Sequence, residues 1–465
     1  MRRFLQAGAV HREAFAAMAV RGVGIGLTFL STTTLARIMG PDAYGAYSAA
    51  LASATLLAAL APLGTDRILI RTLSGSDDDP DCGQQVAVVH AATGAVAAVI
   101  VIGAVLASLV AAWFAARVDA ASTALRAAIL FIPLTLIYLR QWMAIPLIGT
   151  RRAVAMEQIV LPIATVSVVI AGLLVGIEFD ATLMSISTAV LLSILWVAST
   201  QQTRMRQIYA AGIGQISAVN LSHVSACLSK GLPFVSVAIG SVLTQSCIPV
   251  VIAFTAGFSS AAFFAIAVPY ASVAAIPLGM FALSMFRTCA LHYERGEWVE
   301  ANHSVRSAAT ITFLMSIFIS GGVWLAAPWI TWVLGQNYEP VQRILPALLL
   351  ATIVDSLTGP TIPVMQTMLL ERLHARVMML FVPIQFAIIA VMTSALDVEG
   401  AALGYLMTRC LWNAIVVIEI YRQRKLVMLP YIWVSQALTR IAAGRSSVTP
   451  PAESKVNQDE SRLAA

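Results

Sequence analysis

Long apolar runs separated by short polar breaks set the pattern of this chain. From Ala14 to Arg71, two apolar arms rich in alanine, leucine and small residues flank a break at Gly40-Pro41-Asp42-Ala43-Tyr44-Gly45. A bilayer core about 30 Å thick takes roughly 20 such residues per helical crossing, so this stretch predicts a membrane-spanning hairpin. The rest of the chain repeats the unit. Runs of spanning length fall at 14–37, 43–65, 84–113, 126–148, 154–177, 181–200, 230–255, 260–287, 306–333, 342–368, 376–395 and 400–421. In lipid only helices and closed barrels satisfy their backbone groups, and barrel strands would show as alternating stretches of about ten residues. These runs are longer and uniformly apolar, so the pattern predicts an all-α polytopic membrane protein of about twelve transmembrane helices.

The longest internal break, Gln201 to Ser229, divides the runs into two sets of about six helices each. The predicted organisation is an N-terminal lobe at 1–200, a cytoplasmic connector at 201–229, a C-terminal lobe at 230–425 and a cytoplasmic, largely disordered tail at 426–465. Arg204 and Arg206 lie in a weakly amphipathic stretch that suits an interfacial connector. Tyr431 to Ala443 suits a short helix on the membrane surface, and the polar stretch from Arg445 to Ala465 suits disorder. The halves share an echo. Pro62-Leu63-Gly64 precedes Arg71-Thr72, and Pro277-Leu278-Gly279 precedes Arg287-Thr288. Both are expected at the inner end of the second helix of their half, as parallel repeats about the membrane normal would have them.

Composition narrows the class. Of 465 residues, 59% are hydrophobic and 11% charged, against about 25% charged in a soluble domain. A soluble monomer is excluded. The net charge of +6 needs no nucleic acid, because cytoplasmic loops collect Arg and Lys. Basic breaks at Arg2, Arg3 and Arg12, at Arg67 and Arg71, at Arg151 and Arg152, at Arg204 and Arg206, at Arg287 and Arg295, at Arg372 and Arg376, and at Arg422, Arg424 and Lys425 alternate with breaks holding Asp42, Arg117 and Asp119, Glu178 and Asp180, Glu339 and Arg343, and Asp397 and Glu399. The alternation puts both termini in the cytoplasm and the Gly40 break outside. Trp113, Trp329 and Trp332 fall at predicted outer ends, where an aromatic belt belongs. The first apolar run continues past Arg21 to Arg37, too long for a cleaved signal, and reads as a retained helix.

Enzymatic and metal motifs are few. Cys82, Cys227, Cys247, Cys289 and Cys410 are odd in number and show no CxxC spacing, which argues against a disulfide framework or metal site. Asp77-Asp78-Asp79-Pro80-Asp81 contains the DxD spacing of glycosyltransferases, but its loop is too short to build a nucleotide pocket. There is no GxxxxGK[ST] phosphate loop and no HExxH. No catalytic residues and no cofactor are expected.

The first hairpin carries a resemblance. Gly40, Pro41, Tyr44, Gly45 and Tyr47, followed by Gly64, Asp66 and Arg71, resemble the opening of the polysaccharide flippases of the multidrug/oligosaccharidyl-lipid/polysaccharide exporter superfamily. Phe254-Thr255-Ala256-Gly257 with Phe263-Phe264-Ala265-Ile266-Ala267, and Leu334-Gly335-Gln336-Asn337-Tyr338, are similar to later parts of that family, although its usual Gly and Tyr are replaced in the former. The likeness in topology covers nearly the whole chain and is specific over its first seventy or so residues. The resemblance implies two six-helix lobes in a V around a central cavity. It also implies translocation of an undecaprenyl-diphosphate-linked oligosaccharide, a precursor of exopolysaccharide, capsule or O-antigen, across the bacterial inner membrane. Membrane lipids and polysaccharide polymerase machinery would be its partners.

A diphosphate carried through a low-dielectric region calls for fixed cations, and arginine matches phosphate oxygens with a planar fork. Arg21, Arg140 and Arg409 lie well inside predicted helices, and Lys230 opens the seventh. They are the candidate diphosphate ligands; the plain alternative is snorkelling or an internal ion pair. Asp355, beside Ser356, Thr358, Gly359 and Pro360, is either a site for a coupling proton or sodium ion or the partner of a buried arginine. Asp66, Glu157 and Glu419 suit structural pairing near the inner surface, and His90 suits packing. Gly22-Val23-Gly24-Ile25-Gly26 suits close helix contact. Two rival functions stay open. A drug/cation antiporter of the same superfamily would have an acidic cavity, and an oligosaccharide polymerase or ligase would need a large outer loop. The orientation is checked by cysteine labelling: Ser447→Cys should resist an impermeant thiol reagent in intact spheroplasts, and reaction there would reverse the topology.

Overall fold

The computed structural model describes residues 2–66, 73, 81–113, 118–148, 152, 155–201, 206–208, 219–367 and 370–431. Every regular element among them is helical. The first half holds α1 (Arg2–Leu60), α2 (Asp81–Trp113), α3 (Val118–Ile148), α4 (Leu161–Leu174) and α5 (Ala181–Thr200). The second holds α6 (Leu221–Ser246), α7 (Ile248–Ala256), α8 (Phe258–Ser272), α9 (Ile276–Arg295), α10 (Trp298–Leu334), α11 (Glu339–Leu357), α12 (Thr361–Thr367) and α13 (Glu371–Arg424). A π turn, Met156–Val160, leads into α4. Eight helical stretches among the described residues are long and apolar enough to cross a membrane. Two of these, Gly22–Leu60 and Leu373–Arg424, contain non-helical kinks at Gly40 and at Leu396 and Asp397, and each is long enough for two crossings. Each predicted apolar run falls on helix, and the protein is an all-α polytopic membrane protein.

The breaks between helices follow from glycine and proline. Gly40 (φ 76°, ψ 169°), Gly257 (φ 92°, ψ 173°) and Gly335 (φ 102°, ψ 163°) share one backbone conformation that is essentially closed to residues with a Cβ. Each reverses the chain at the same end of the molecule, hereafter the Gly40 end. Pro41 then opens the second arm of α1, where its missing N–H has no partner to lose. The run expected as one helix at 342–368 is broken at Gly359 (φ 66°) and Pro360. The Pro-Leu-Gly echo also differs from expectation. Leu63 and Gly64 take positive φ just after α1 ends, whereas Pro277 sits at the start of α9, which runs on to Arg295. The motif marks a helix interruption in both halves rather than a helix end. The seventh helix starts earlier than its apolar run, at Leu221, within the predicted connector.

Helix packing separates the two ends of the molecule. The largest buried cluster lies toward the Gly40 end and draws on both halves: Leu35, Ala36, Tyr44 and Tyr47 of α1 meet Ile252, Ala261, Phe264 and Tyr270 of α7 and α8, and Tyr338, Val341 and Ile344 around α11. At the opposite end, where α13 finishes at Arg424, the clusters divide by half. Met285, Cys289, Ala301, Phe381, Trp412 and Val416 form one in the second half. Leu73, Val86, Val89, Leu139 and Met143 form another in the first, with Cys227 of α6 packed at its edge. Contacts between halves run mainly through α1, above all against α8. Trp329 and Trp332, at the Gly40 end of α10, are 75% and 80% exposed, as lipid-facing belt residues would be.

The tightest point is Gly45. A Cβ there would lie 1.8 Å from the carbonyl oxygen of Phe258, so the α1 and α8 backbones meet with no room for a side chain. Overpacking of this kind costs about 1–3 kcal/mol or more. Gly45→Leu should therefore lower the thermal midpoint of the purified protein markedly, whereas Gly94→Ala, which has nothing within 4 Å, should leave it unchanged. Light-scattering or fluorescence melting in detergent measures both.

Candidate functional site

The turns at Gly40 and Gly257 match position by position: Gly40 with Gly257, Asp42 with Ser259, Gly45 with Ala262, Tyr47 with Phe264. The Ser259 hydroxyl donates to the Asp42 carboxylate, so two matched positions bond to each other across the halves. Further bonds close the same seam. Arg37 Nη1 donates to the Val333 carbonyl at 2.9 Å, near the end of α10, where the helix dipole favours a cation. Tyr338 Oη donates to the Ala36 carbonyl at 2.5 Å, and Thr33 shares a 2.7 Å hydrogen bond with Tyr270 Oη. Phe29 packs edge-on against Tyr270 at 4.0 Å. Within the second half, Ser260 donates to Asp397 at 2.6 Å and fixes the kink of α13.

The second feature is a polar cluster between α11 and α13. Arg409 Nη2 donates to Tyr405 Oη at 2.8 Å, and the guanidinium lies 4.9 Å over the Tyr405 ring. Its Nε is 3.7 Å from Asp355 Oδ2, close enough for a gross attraction of about 4 kcal/mol but too far for a hydrogen bond. The other carboxylate oxygen, Oδ1, accepts from Asn413 Nδ2 at 2.7 Å. Asn413 Oδ1 in turn accepts from Thr358 at 2.6 Å. Asp355 lies in the last turn of α11, where the dipole disfavours an anion, and Arg409 offsets that charge. Tyr405, Arg409 and Asn413 recur every four residues, which places them on one helical face.

Arg140 is 2% exposed and lies in the first half. It lines a cavity with Ile137, Gln141, Leu161, Leu192 and Ser199, drawn from α3, α4 and α5. The structure therefore brings Arg409 together with Asp355 and places Arg140 in a separate cavity of the other half. Arg21 lies in α1 and Lys230 in α6, but their side chains, like that of Glu157, fall outside the described part. Arg71, the DxD loop at 77–80 and the tail beyond 431 lie outside the described residues. Of the family-motif positions, Gly40 makes the turn, Tyr44 is buried 6.3 Å from Tyr47, Gly45 abuts Phe258 and Gly64 sits in the turn after α1. Among the described residues, no three His, Cys, Asp or Glu gather as a metal site would require.

Sequence reasoning missed several participants. Ser259 and Tyr270 give no signal as isolated residues, because their partners lie more than 200 positions away, whereas Tyr338 falls in a stretch already marked by the resemblance. Asn413 and Tyr405 were legible as a polar stripe with Arg409. Arg306 is 1% exposed near one end of α10; its Nε donates to the Leu429 carbonyl at 3.2 Å and its guanidinium stacks 4.1 Å over Tyr431. With Asn302 accepting from Val427 N–H, it fastens the segment after α13 onto α10.

The halves share one large buried cluster at the Gly40 end, while the clusters at the other end lie mainly within one half each, with α6 touching the first half there. Solved structures agree in fold. An inward-facing multidrug resistance MATE family transporter of the MOP superfamily matches with a TM-score of 0.66 and 13% identity, over 91% of this chain and 95% of its own. The outward-facing conformation of such a transporter matches at 0.52 and 13%, over 93% and 96%. A MOP superfamily transporter from Pyrococcus furiosus, described as having a binding pocket of reverse polarity, matches at 0.58 and 14%, over 90% and 95%. The fold is that of the MATE/MOP transporters. The family model for polysaccharide biosynthesis proteins matches residues 10–286, more than half the chain, and the chain belongs to that family. No protein with a curated description matches it.

The seam makes its own prediction. With Asp42→Cys and Ser259→Cys together, in a chain otherwise free of cysteine, mild oxidation of membranes should form a cross-link between the halves. Peptide mass spectrometry after cleavage detects it, and failure to cross-link would show that the two turns do not meet in the membrane.

Proposed function

We propose that this protein moves a polyprenyl-diphosphate-linked oligosaccharide, a polysaccharide precursor, from the inner to the outer leaflet of a bacterial cytoplasmic membrane. The observation that carries the reading is the family match on a MATE-type fold: membership in polysaccharide biosynthesis, on a transporter scaffold. Two six-helix lobes, 1–200 and 230–425, would work by alternating access. In support, the hydrogen-bonded seam and the shared hydrophobic cluster join the halves at the Gly40 end, while the clusters at the other end divide by half. With basic breaks in the cytoplasm, the Gly40 end is outward and the state is inward-facing, in keeping with the closer fold match to an inward-facing transporter. The matched turns at Gly40 and Gly257 support parallel repeats.

Charge favours an anionic substrate over a cationic drug. Arg140 and Arg409 are both held within helices, and Asp355 is already engaged by Arg409 and Asn413. A bare charge at mid-helix costs roughly 2.5–3.5 kcal/mol on insertion scales, so such residues persist where they are paired or used. The Pyrococcus relative, with its pocket of reverse polarity, is a precedent within the fold for departure from drug export. Catalysis has no part in this reading, and coupling to protons or sodium ions through Asp355 is its energetic complement.

Replacing Arg21, Arg140 and Arg409 by alanine should nearly abolish polymer export at normal membrane abundance. Lysine replacements should impair it partly, because lysine lacks the planar fork. Full export by the triple alanine variant would end the diphosphate assignment. Loss of abundance together with export would show that the arginines serve only as structural ion-pair partners.

A further inference from the structure

A salt bridge kept for stability closes to hydrogen-bond distance, near 2.8 Å, and an arginine–carboxylate pair is frequently bidentate. The Arg409–Asp355 pair does neither. Its closest approach is 3.7 Å, and Arg409 Nε is buried with no hydrogen-bond partner among the described residues. Asp355 is held back by Asn413, which Thr358 positions through its hydroxyl. Arg409 is anchored separately, by the Tyr405 hydroxyl and ring. The two side chains keep 15% and 26% of their surface exposed, although Arg409 Nε itself is buried. The result is a cation that is electrostatically balanced yet has an unfilled donor, facing a carboxylate clamped just out of reach.

We propose that Asp355 is a stand-in anion: it neutralises Arg409 while the site is empty and competes with an incoming phosphoryl oxygen for the guanidinium. The site is thus an anion site for a diphosphate, with Arg409 as ligand and with Asp355, Asn413 and Thr358 as the groups that set its strength. This rests on the diphosphate-substrate reading above. The arrangement keeps binding weak enough for release. A guanidinium without a counter-anion would hold a diphosphate strongly, and one closed onto its carboxylate would not take it at all. The carboxylate also spares the empty transporter an unbalanced charge in a low-dielectric interior.

The test uses the full chain in detergent and inorganic pyrophosphate as the probe, titrated by calorimetry or by thermal shift. Asp355→Asn removes the competing charge without changing size and should bind pyrophosphate at least about tenfold more tightly than the parent protein, as expected when a competing state is removed. Asp355→Glu lengthens the side chain toward Nε and should bind more weakly than the parent. Adding Arg409→Gln to Asp355→Asn should erase the gain. The order Asn, then Asp, then Glu, dependent on Arg409, supports the proposal, and the Glu variant tests it even where the Asn variant folds poorly. Equal affinity across the three, a gain that survives loss of Arg409, or no binding by any variant overturns it. Polymer export measured in cells is a separate readout: export lost by the triple arginine variant with no pyrophosphate effect here would sink the stand-in role and leave the transport reading standing.

Discussion

Backbone hydrogen bonding without water is the constraint on which this structure depends. In a hydrocarbon layer an unpaired N–H or C=O costs several kcal/mol, so each crossing must be helical and each interruption must find partners. The interruptions obey this. The break between α11 and α12 is met by Thr312, whose hydroxyl lies 3.1 Å from the Ser356 carbonyl. The exposed end of α10 is met by Arg37. The turns at Gly40, Gly257 and Gly335 lie at one end of the bundle, where the chain can reverse.

From that constraint follows the way the halves meet. Helices in lipid gain little from the hydrophobic effect against each other, so close approach and interhelical hydrogen bonds decide where they associate. α1 provides both. Gly45 lets its backbone touch that of Phe258, and Thr33, Ala36, Arg37 and Asp42 supply donors and acceptors to the second half. Because these contacts gather at one end, the opposite end is free to hold separate clusters in each half. The seam combines these bonds and the close backbone contact with the largest buried cluster of the described residues.

Buried charge is the third consequence. Arg409 and Asp355 share their cost through a network of polar neighbours. Tyr405 anchors the cation, Asn413 restrains the anion, and Thr358 restrains Asn413. Arg140, on the other half, occupies its own cavity. An internal carboxylate at a loose distance makes a buried guanidinium tolerable without closing a hydrogen bond to it.

The sequence by itself determined the helical runs and their succession, because spanning length and apolar composition are local properties. It also marked Gly40 and Gly45 as special, since a positive-φ turn and a backbone contact both demand the absence of a Cβ. It did not mark Ser259 or Tyr270, whose meaning depends on partners brought near only by packing. The Pro-Leu-Gly echo was visible, yet whether it stops a helix or starts one depended on how neighbouring helices filled the space around it. Arg409 and Asp355 could each be read as ligand or counter-ion, and only packing brings them to 3.7 Å from each other. Such distances are tertiary quantities: they are set by how α11 and α13 pack, and no spacing along the chain encodes them.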